Sequence, residues 1–181
     1  MNIIYEYSHL GGVEILIVKY PEILKVIKKV IEDISPHKTK ISKEKTMRGK
    51  SLVAPKDLNI QFKEKLENLG FKELRDTFNI ELPNYKTKIT GSYKQIDFCL
   101  GKVLIEVQFG KYPFMFYDLA KFQYFYNENK ADVGIEIVPC YQLHKSMSTG
   151  VSYGEQLIND IERLKRHFPA VPVAKIGRAH V

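Results

Sequence analysis

Apolar residues recur along the chain at two spacings, and each spacing predicts a different element. Apolar residues three or four positions apart indicate amphipathic helices, which are predicted over 20–34, 58–69, 112–128 and 152–168. Short runs of alternating or consecutive apolar residues indicate strands, which are predicted at 2–7, 13–19, 131–139 and within 169–175. Residues 76–90 predict a strand and a loop, because Pro83 and Asn84 break the pattern.

The middle of the chain predicts a β-hairpin followed by a crossover. The stretch QIDFCLGKVLIEVQF, residues 95–109, has two apolar runs around Gly101, which favours a turn at that glycine. An aromatic helix follows from Tyr112, and the apolar strand after it is of the kind buried in a parallel sheet. Strand, helix and strand within roughly 35 residues make one βαβ unit. The chain therefore predicts an α/β fold.

Three polar residues interrupt the apolar runs of this hairpin: Asp97, Glu106 and Gln108. Because side chains alternate along a strand, Glu106 and Gln108 share a face, and Asp97 on the partner strand can approach the same edge. Two adjacent carboxylates repel unless a cation or a proton lies between them. Oxygen ligands suit Mg²⁺, and the backbone carbonyl of Val107 would supply a further one. Such a metal polarises a phosphoryl oxygen and activates a bound water.

An Asp, a gap and then Glu-x-Lys at the end of a hairpin form the active-site pattern of a large nuclease superfamily. Here Gln108 stands in the last position. The bare pattern arises often by chance. An edge hairpin with solvated carboxylates therefore remains the competing interpretation at this point.

Charge favours a polyanionic partner. The 181 residues include 28 Lys and Arg against 21 Asp and Glu, a formal net charge of +7. Nucleic acid is the first candidate and an acidic membrane surface the second, although charge alone fits a basic surface with no partner equally well. Residues 37–50 hold five Lys and one Arg against one Glu, which predicts an exposed segment. That segment is either a solvated face or an arm that contacts phosphates.

The length suits one domain, which we place at residues 1–175. Cys99 and Cys140 lie in or beside apolar runs, and their spacing fits neither a metal site nor a disulfide scaffold. The N-terminal stretch lacks a basic signal-peptide region and no apolar run approaches about 18 residues, so we expect a cytoplasmic protein. The last six residues, 176–181, match a translated sequencing adapter and interrupt an apolar strand. Whether they are native is left open.

Longer segments of the chain match a known group of proteins. Two of them surround the three polar residues, SYKQIDF and VLIEVQFGKYPFMFYDL. The others follow the same order along most of the chain: YSHLGGVE, SKEKT, FKEKLENLGFKE, DVGIEIVP and MSTGVSYGEQL. These segments are similar to type II restriction endonucleases of the BglII/BstYI group. Matched segments in the same order are far more specific than the short pattern alone.

This resemblance implies a restriction-endonuclease-like core, with a central mixed β-sheet flanked by helices. It implies a homodimer that acts on palindromic double-stranded DNA and has no membrane partner. The expected reaction is Mg²⁺-dependent phosphodiester hydrolysis that leaves 5′-phosphates, at a site centred on GATC and, in the BstYI type, at RGATCY. A cognate DNA methyltransferase is the further partner to expect in the same system.

Carried over by position, Asp97 and Glu106 are metal ligands, and Gln108 takes the place of the superfamily lysine. A neutral amide cannot accept a proton, so we expect Gln108 to orient the attacking water or a phosphate oxygen. The resemblance makes Lys111 a candidate for base-edge contact, the alternative being a phosphate contact or an exposed lysine.

Further DNA contacts are predicted at two places. Ser148 and Thr149 precede a predicted helix and suit contacts to bases or phosphates; the alternative is helix capping, for which Ser152 and Glu155 form a capping box. The predicted phosphate contacts in the basic segment are Lys43, Lys45, Arg48 and Lys50. The competing functions are a catalytically silent or truncated DNA-binding module and a structure-selective repair nuclease.

Overall fold

A six-stranded mixed β-sheet organises the residues that the computed structural model describes, 2–164 and 166–179. The strands are β1 (Asn2–His9), β2 (Lys40–Ile41), β3 (Ser51–Leu52), β4 (Lys72–Ile80), β5 (Ile89–Leu100), β6 (Val103–Val107), β7 (Val133–Pro139) and β8 (Val173–Ala179). The helices are α1 (Gly12–Lys19), α2 (Pro21–Asp33), α3 (Pro55–Asn68), α4 (Tyr112–Asn127), α5 (Tyr141–His144) and α6 (Gly154–Leu164).

The sheet has the strand order β1-β8-β7-β6-β5-β4, and β2 and β3 form a separate ribbon. Strands β4, β5 and β6 pair antiparallel, β6, β7 and β8 pair parallel, and β1 pairs antiparallel with β8. The hairpin β5–β6 and the crossover β6–α4–β7 are the predicted ones. The predicted α/β class, with a mixed sheet flanked by helices, is confirmed.

Each face of the sheet is covered by its own apolar cluster. Helices α1, α2 and α3 cover one face, where Ile105 and Val107 of β6 are buried. Helices α4 and α6 cover the other, where Leu104 is buried. Because side chains alternate along β6, Glu106 lies on the α4 face with Leu104. Gly134 lets α4 approach closely, since a Cβ there would lie 2.5 Å from Cγ of Phe122.

The strand predicted at 13–19 is wrong, because these residues belong to helix α1. A stretch of seven residues of which five are apolar fits a strand or two helical turns equally well. The glycines before it decide the outcome: Gly11 has a left-handed φ of 75°, and a Cβ on Gly12 would lie 2.3 Å from the carbonyl carbon of Val173. The chain therefore turns sharply over β8 and packs Leu16 onto the face of the sheet.

The capping box predicted at Ser152 and Glu155 is also wrong. Helix α6 begins at Gly154, and the buried Ser152 hydroxyl has no hydrogen-bond partner among the described residues. The Glu155 carboxylate instead accepts hydrogen bonds of 3.0 Å from the backbone N–H of Tyr141. A partner distant in sequence thus replaces the local one.

The described cysteines are free thiols, with Cys99 half-buried and Cys140 buried. Within the described part of the chain, no helix combines the length and the apolar character that crossing a bilayer requires.

The final strand begins and ends later than predicted. Strand β8 continues to Ala179, and Ile176, which is 1% exposed, pairs with both β1 and β7. Residues 176–179, which the prediction placed in a tail beyond the domain, therefore lie within the sheet. Residues 180 and 181 lie outside the described residues, and whether 176–181 are native stays untested.

Replacing Ile176 by Ala tests how far the core depends on this strand. We expect Ile176→Ala to lower the free energy of unfolding by about 2–4 kcal/mol, because it leaves a cavity in a packed core. Ile4→Ala is the matched control, since Ile4 is 48% exposed on β1. Equal losses for the two variants in denaturant unfolding would show that the end of β8 is not packed.

Candidate active site

Strands β5 and β6 separate at Asp97, and this separation creates the site. Their pairing ends at Phe98 and Ile105. On the other side of β5, Asp97 and Phe98 together oppose Glu73 of β4, which makes a β-bulge. A bulge bends its strand and re-aims the side chains. Here Oδ2 of Asp97 lies 3.5 Å from the backbone nitrogen of Val107 on β6.

Helix α4 places an ammonium group between two buried carboxylates. Glu106 is 2% exposed, and its Oε1 lies 2.6 Å from Nζ of Lys121. The same Nζ lies 2.8 Å from Oδ1 of Asp118, which is also 2% exposed. Because Asp118 and Lys121 are three residues apart, they project from one face of the helix. That face covers Glu106.

Gln108 connects the end of β6 to this helix. Its Nε2 donates a hydrogen bond of 2.8 Å to Oδ2 of Asp118, and its Oε1 accepts one of 3.0 Å from the backbone N–H of Gly110. Both ends of the amide are therefore engaged within the protein. In this arrangement Gln108 orients Asp118, and its predicted role toward a water or a phosphate oxygen remains a prediction.

Burial and the mutual repulsion of the carboxylates dominate the electrostatics of the site. Burial, followed by the charges of Asp118 and Asp97, raises the pKa of the Glu106 carboxyl to about 10. Burial also raises the pKa of Asp118, against the opposing effect of Lys121. Burial alone would lower the pKa of the Lys121 ammonium, but Glu106 and Asp118 raise it above its ordinary value. Three ionised carboxylates and one ammonium would leave two excess negative charges.

The donor set fits a divalent cation that prefers oxygen ligands. The described residues contain no group of three or more His, Cys, Asp or Glu side chains that could hold a metal ion. Mg²⁺, however, usually takes only one or two protein carboxylates and keeps several waters. Asp97 and Glu106 supply two, and Oε1 of Glu106 already binds a cation, the ammonium of Lys121. The two negative charges that full ionisation of these carboxyls would leave also match a divalent ion.

Asp97 lines openings on both sides of the bulge. One opening, of about 220 Å³, lies against α3 and is also lined by Lys63, Glu73 and Val107. The other, of about 420 Å³, lies against α4; it is lined by Tyr93, Lys94, Gln95, Asp97, Tyr117 and Lys121. The carboxylate site is therefore open to solvent through Asp97, while Glu106 is enclosed.

The predicted DNA-contact loop and the basic segment meet in the structure. Ser148 Oγ accepts a hydrogen bond of 2.7 Å from Nζ of Lys40. The backbone N–H and the hydroxyl of Thr149 donate to Oε2 of Glu44 at 3.1 and 2.8 Å. The basic residues predicted to contact phosphates are exposed on the connection between β2 and β3, namely Lys43, Lys45, Arg48 and Lys50.

The same loop is tied to the end of the active strand. The backbone N–H of Ser152 donates a hydrogen bond of 2.9 Å to the carbonyl of Gly110. Lys111 follows that glycine and is exposed immediately before α4. The structure thus links the loop that contains Ser148 and Thr149 to the backbone beside Gln108 and Lys111.

The comparison with protein families shows the family of the chain. The family model described as restriction endonuclease BglII/BglIII matches residues 4–178. The chain belongs to the BglII family of restriction endonucleases. It is therefore a type II restriction endonuclease, and the resemblance to the BglII/BstYI group is confirmed at the level of the family.

Solved structures support the BglII-type fold. The crystal structure of restriction endonuclease BglII complexed with a DNA 16-mer superposes with a TM-score of 0.79 at 24% sequence identity, over 100% of this chain and 79% of that chain. The crystal structure of free BglII gives a TM-score of 0.70 at 22% identity, over 100% of this chain and 81% of that one. A search of curated proteins finds no match.

Two residues beside the predicted catalytic residues were not predicted as part of the site, Asp118 and Lys121. The sequence carries a signal for them, because a charged pair three residues apart interrupts the aromatic helix FMFYDLAKFQYFYN. Their partner residues lie on a strand, however, and helical spacing alone does not identify them.

A second buried ion pair adjoins the site in this BglII-family chain. Glu136 of β7 is the register partner of Glu106, and Lys175 of β8 is the register partner of Glu136. Glu136 and Lys175 are fully buried and form an ion pair. Burial raises the pKa of Glu136 to about 7, although Lys175 opposes the rise. The sequence carries a signal for this pair too, because Glu136 is a charged residue in an otherwise apolar strand.

The raised pKa of Glu106 predicts a pH-dependent stability cost. Without metal, the folded protein retains a proton that the unfolded chain releases above about pH 5, so stability falls as the pH rises toward about 10. Glu106→Gln cannot titrate. At about pH 9 in metal-free buffer we expect it to be more stable than the wild type by on the order of 1 kcal/mol.

Chemical unfolding at several pH values measures this difference. The gain should shrink toward about pH 5, where both states of the wild type hold the proton. Glu73→Gln is the control, because Glu73 is an exposed carboxylate at the opening against α3 that Asp97 also lines. A Glu106→Gln variant that is less stable than the wild type at every pH would contradict the account.

Proposed function

We propose that this endonuclease cleaves double-stranded DNA at a palindrome centred on GATC, with RGATCY as the leading sequence, and leaves 5′-phosphates. The observation that carries the proposal is the pair of carboxylates, Asp97 and Glu106, at the end of a splayed hairpin and open to solvent on one side. The family match supports site-specific DNA cleavage. The proposed sequence rests on the similarity of the segments around these carboxylates to the BglII/BstYI group.

We propose that Asp97, Glu106 and the backbone carbonyl of Val107 hold Mg²⁺. When bound, the metal would polarise the scissile phosphate and lower the pKa of a coordinated water. Asp97, which lies at the opening, would meet the phosphate side, and Glu106 would hold the buried side. Gln108 keeps Asp118 oriented through its 2.8 Å hydrogen bond, and Asp118 in turn keeps Lys121 beside Glu106.

DNA binding is supported by charge and by the related complex. BglII itself has been crystallised with a DNA 16-mer. In this chain we assign phosphate contacts to the exposed cations of the β2–β3 connection, and base or phosphate contacts to Lys111, Ser148 and Thr149. Lys40 and Glu44 already hold Ser148 and Thr149, so DNA would meet this loop and the basic segment as one surface.

A palindromic site presents the same half-site twice, which fits two copies of the chain related by a two-fold axis. We therefore propose a homodimer, with one carboxylate site for each DNA strand. A cytoplasmic location and a cognate methyltransferase, which would protect the host sites, complete the proposal.

Removal of the buried carboxylate tests the proposed catalytic site. With Mg²⁺ and unmodified plasmid, the wild type should give discrete fragments. Glu106→Ala should lower the cleavage rate by at least about 10³-fold while DNA binding is retained. Glu73→Ala, the exposed neighbour, should cleave normally. A smear of products, preference for branched DNA, or full activity of Glu106→Ala would contradict the proposal.

Salt dependence of binding tests the proposed phosphate contacts. Each cation that neutralises a phosphate contributes about 0.9 to the slope of log K against log salt. Substituting Arg48 or Lys50 by Ala should therefore lower the slope by about that amount, without changing which site is cut. Lys29→Ala is the control, since Lys29 is exposed on α2 and pairs with Asp33. Unchanged slopes in the Arg48 and Lys50 variants would remove the β2–β3 connection from the interface.

A further inference from the structure

Lys121 lies between two buried carboxyl groups of the site, Glu106 and Asp118. Its Nζ lies 2.6 Å from Oε1 of Glu106 and 2.8 Å from Oδ1 of Asp118. Its side chain is only 13% exposed, and the exposed part lines the same opening as Asp97. An ammonium at this position supplies positive charge directly to the oxygen that is proposed to hold the metal.

Asp118 is a second and independently held partner for this ammonium. Its other oxygen, Oδ2, accepts a hydrogen bond from Gln108, whose amide is in turn held by the N–H of Gly110. Asp118 therefore keeps its position whether or not Lys121 contacts Glu106. Lys121 therefore has a fixed partner on its own helix, Asp118, and a second partner on the sheet, Glu106, which is also a proposed metal ligand.

We infer that the ammonium of Lys121 acts as a built-in cation of the site and competes with the metal for Glu106. Once the metal is bound, Asp118 alone holds Lys121 at the wall of the opening. The inference rests on the proposed function for the metal position. A divalent cation on Oε1 of Glu106 and an ammonium 2.6 Å from that oxygen would repel each other strongly in a buried site. Asp118 already contacts Nζ, so Lys121 can leave Glu106 without losing every partner.

The same arrangement accounts for the amide at position 108. A lysine there would reach Asp118 as the Gln108 amide does, and would compete with Lys121 for its fixed partner. The neutral amide binds Asp118 without adding a charge. The positive charge that the superfamily pattern places at the end of the strand is thus supplied from helix α4 instead.

Metal affinity without DNA tests the inference. Mn²⁺ accepts the same oxygen ligands as Mg²⁺, and its free ion is measured by electron paramagnetic resonance. We expect Lys121→Met to bind Mn²⁺ about tenfold more tightly than the wild type or better, which corresponds to about 1.4 kcal/mol. Lys121→Arg keeps the charge and should stay within about threefold of the wild type.

Lys94→Met controls for a general loss of positive charge. Nζ of Lys94 lines the same opening but lies 4.9 Å from the centroid of the Tyr117 ring and donates to the Tyr117 hydroxyl. This variant should raise Mn²⁺ affinity much less than Lys121→Met. Glu106→Gln should abolish Mn²⁺ binding at this site, both as a single substitution and combined with Lys121→Met. A role of Lys121 in folding alone would weaken metal binding rather than tighten it.

Unchanged or weaker Mn²⁺ binding by folded Lys121→Met overturns the inference, and so does a gain that survives Glu106→Gln. Circular dichroism establishes folding, and Lys121→Gln replaces Lys121→Met if the latter fails to fold. Plasmid cleavage by the wild type separates this result from the proposed function. If the wild type cleaves and Lys121→Met does not bind more tightly, only the role of Lys121 is wrong. If Lys121→Met binds tightly and the wild type does not cleave, the proposed function is wrong instead.

Discussion

The site depends on one costly feature, a carboxylate buried in the middle of a β-sheet. Glu106 is 2% exposed on β6, and an unpaired buried charge costs several kcal/mol. The surrounding residues offset part of that cost. Helix α4 brings Lys121 to the carboxylate, Asp118 holds Lys121, and Gln108 holds Asp118. The register between β6 and β7 then sets Glu136 beside Glu106, and Lys175 pairs with Glu136. A row of buried ionisable groups therefore runs under α4 from the active strand toward β8.

The backbone makes this buried charge accessible to a substrate. The bulge at Asp97 lies where the pairing of β5 and β6 ends, next to Glu106. It places a second carboxylate, that of Asp97, at the opening against α4. The βαβ crossover fixes α4 over the same strand, with Gly134 allowing Phe122 to pack closely. One carboxylate is thus enclosed and the other solvent-facing. This asymmetry suits a cation that binds the protein on one side and a phosphate on the other.

The sequence predicted the parts of this site that lie on one hairpin. The hairpin, the crossover and the residues Asp97, Glu106 and Gln108 follow from periodicity and from polar residues that interrupt apolar runs. The contributions of Asp118 and Lys121 did not follow, because only tertiary packing brings α4 onto β6. Long-range contacts also explain the errors: Gly12 packs on the backbone of Val173 and makes a helix of the predicted strand 13–19, and Glu155 binds Tyr141 in place of Ser152. The role of Gln108 was predicted toward the substrate, whereas its visible partners lie within the protein.

The proposed function is tested most directly by sequencing the ends of DNA cut by the wild-type protein. A mapped, unmodified plasmid is digested with Mg²⁺, and the ends of all fragments are determined. The account predicts that every end lies at the same position within a GATC-centred palindrome and carries a 5′-phosphate. Ends scattered over unrelated sequences, or ends confined to branched structures, would contradict it.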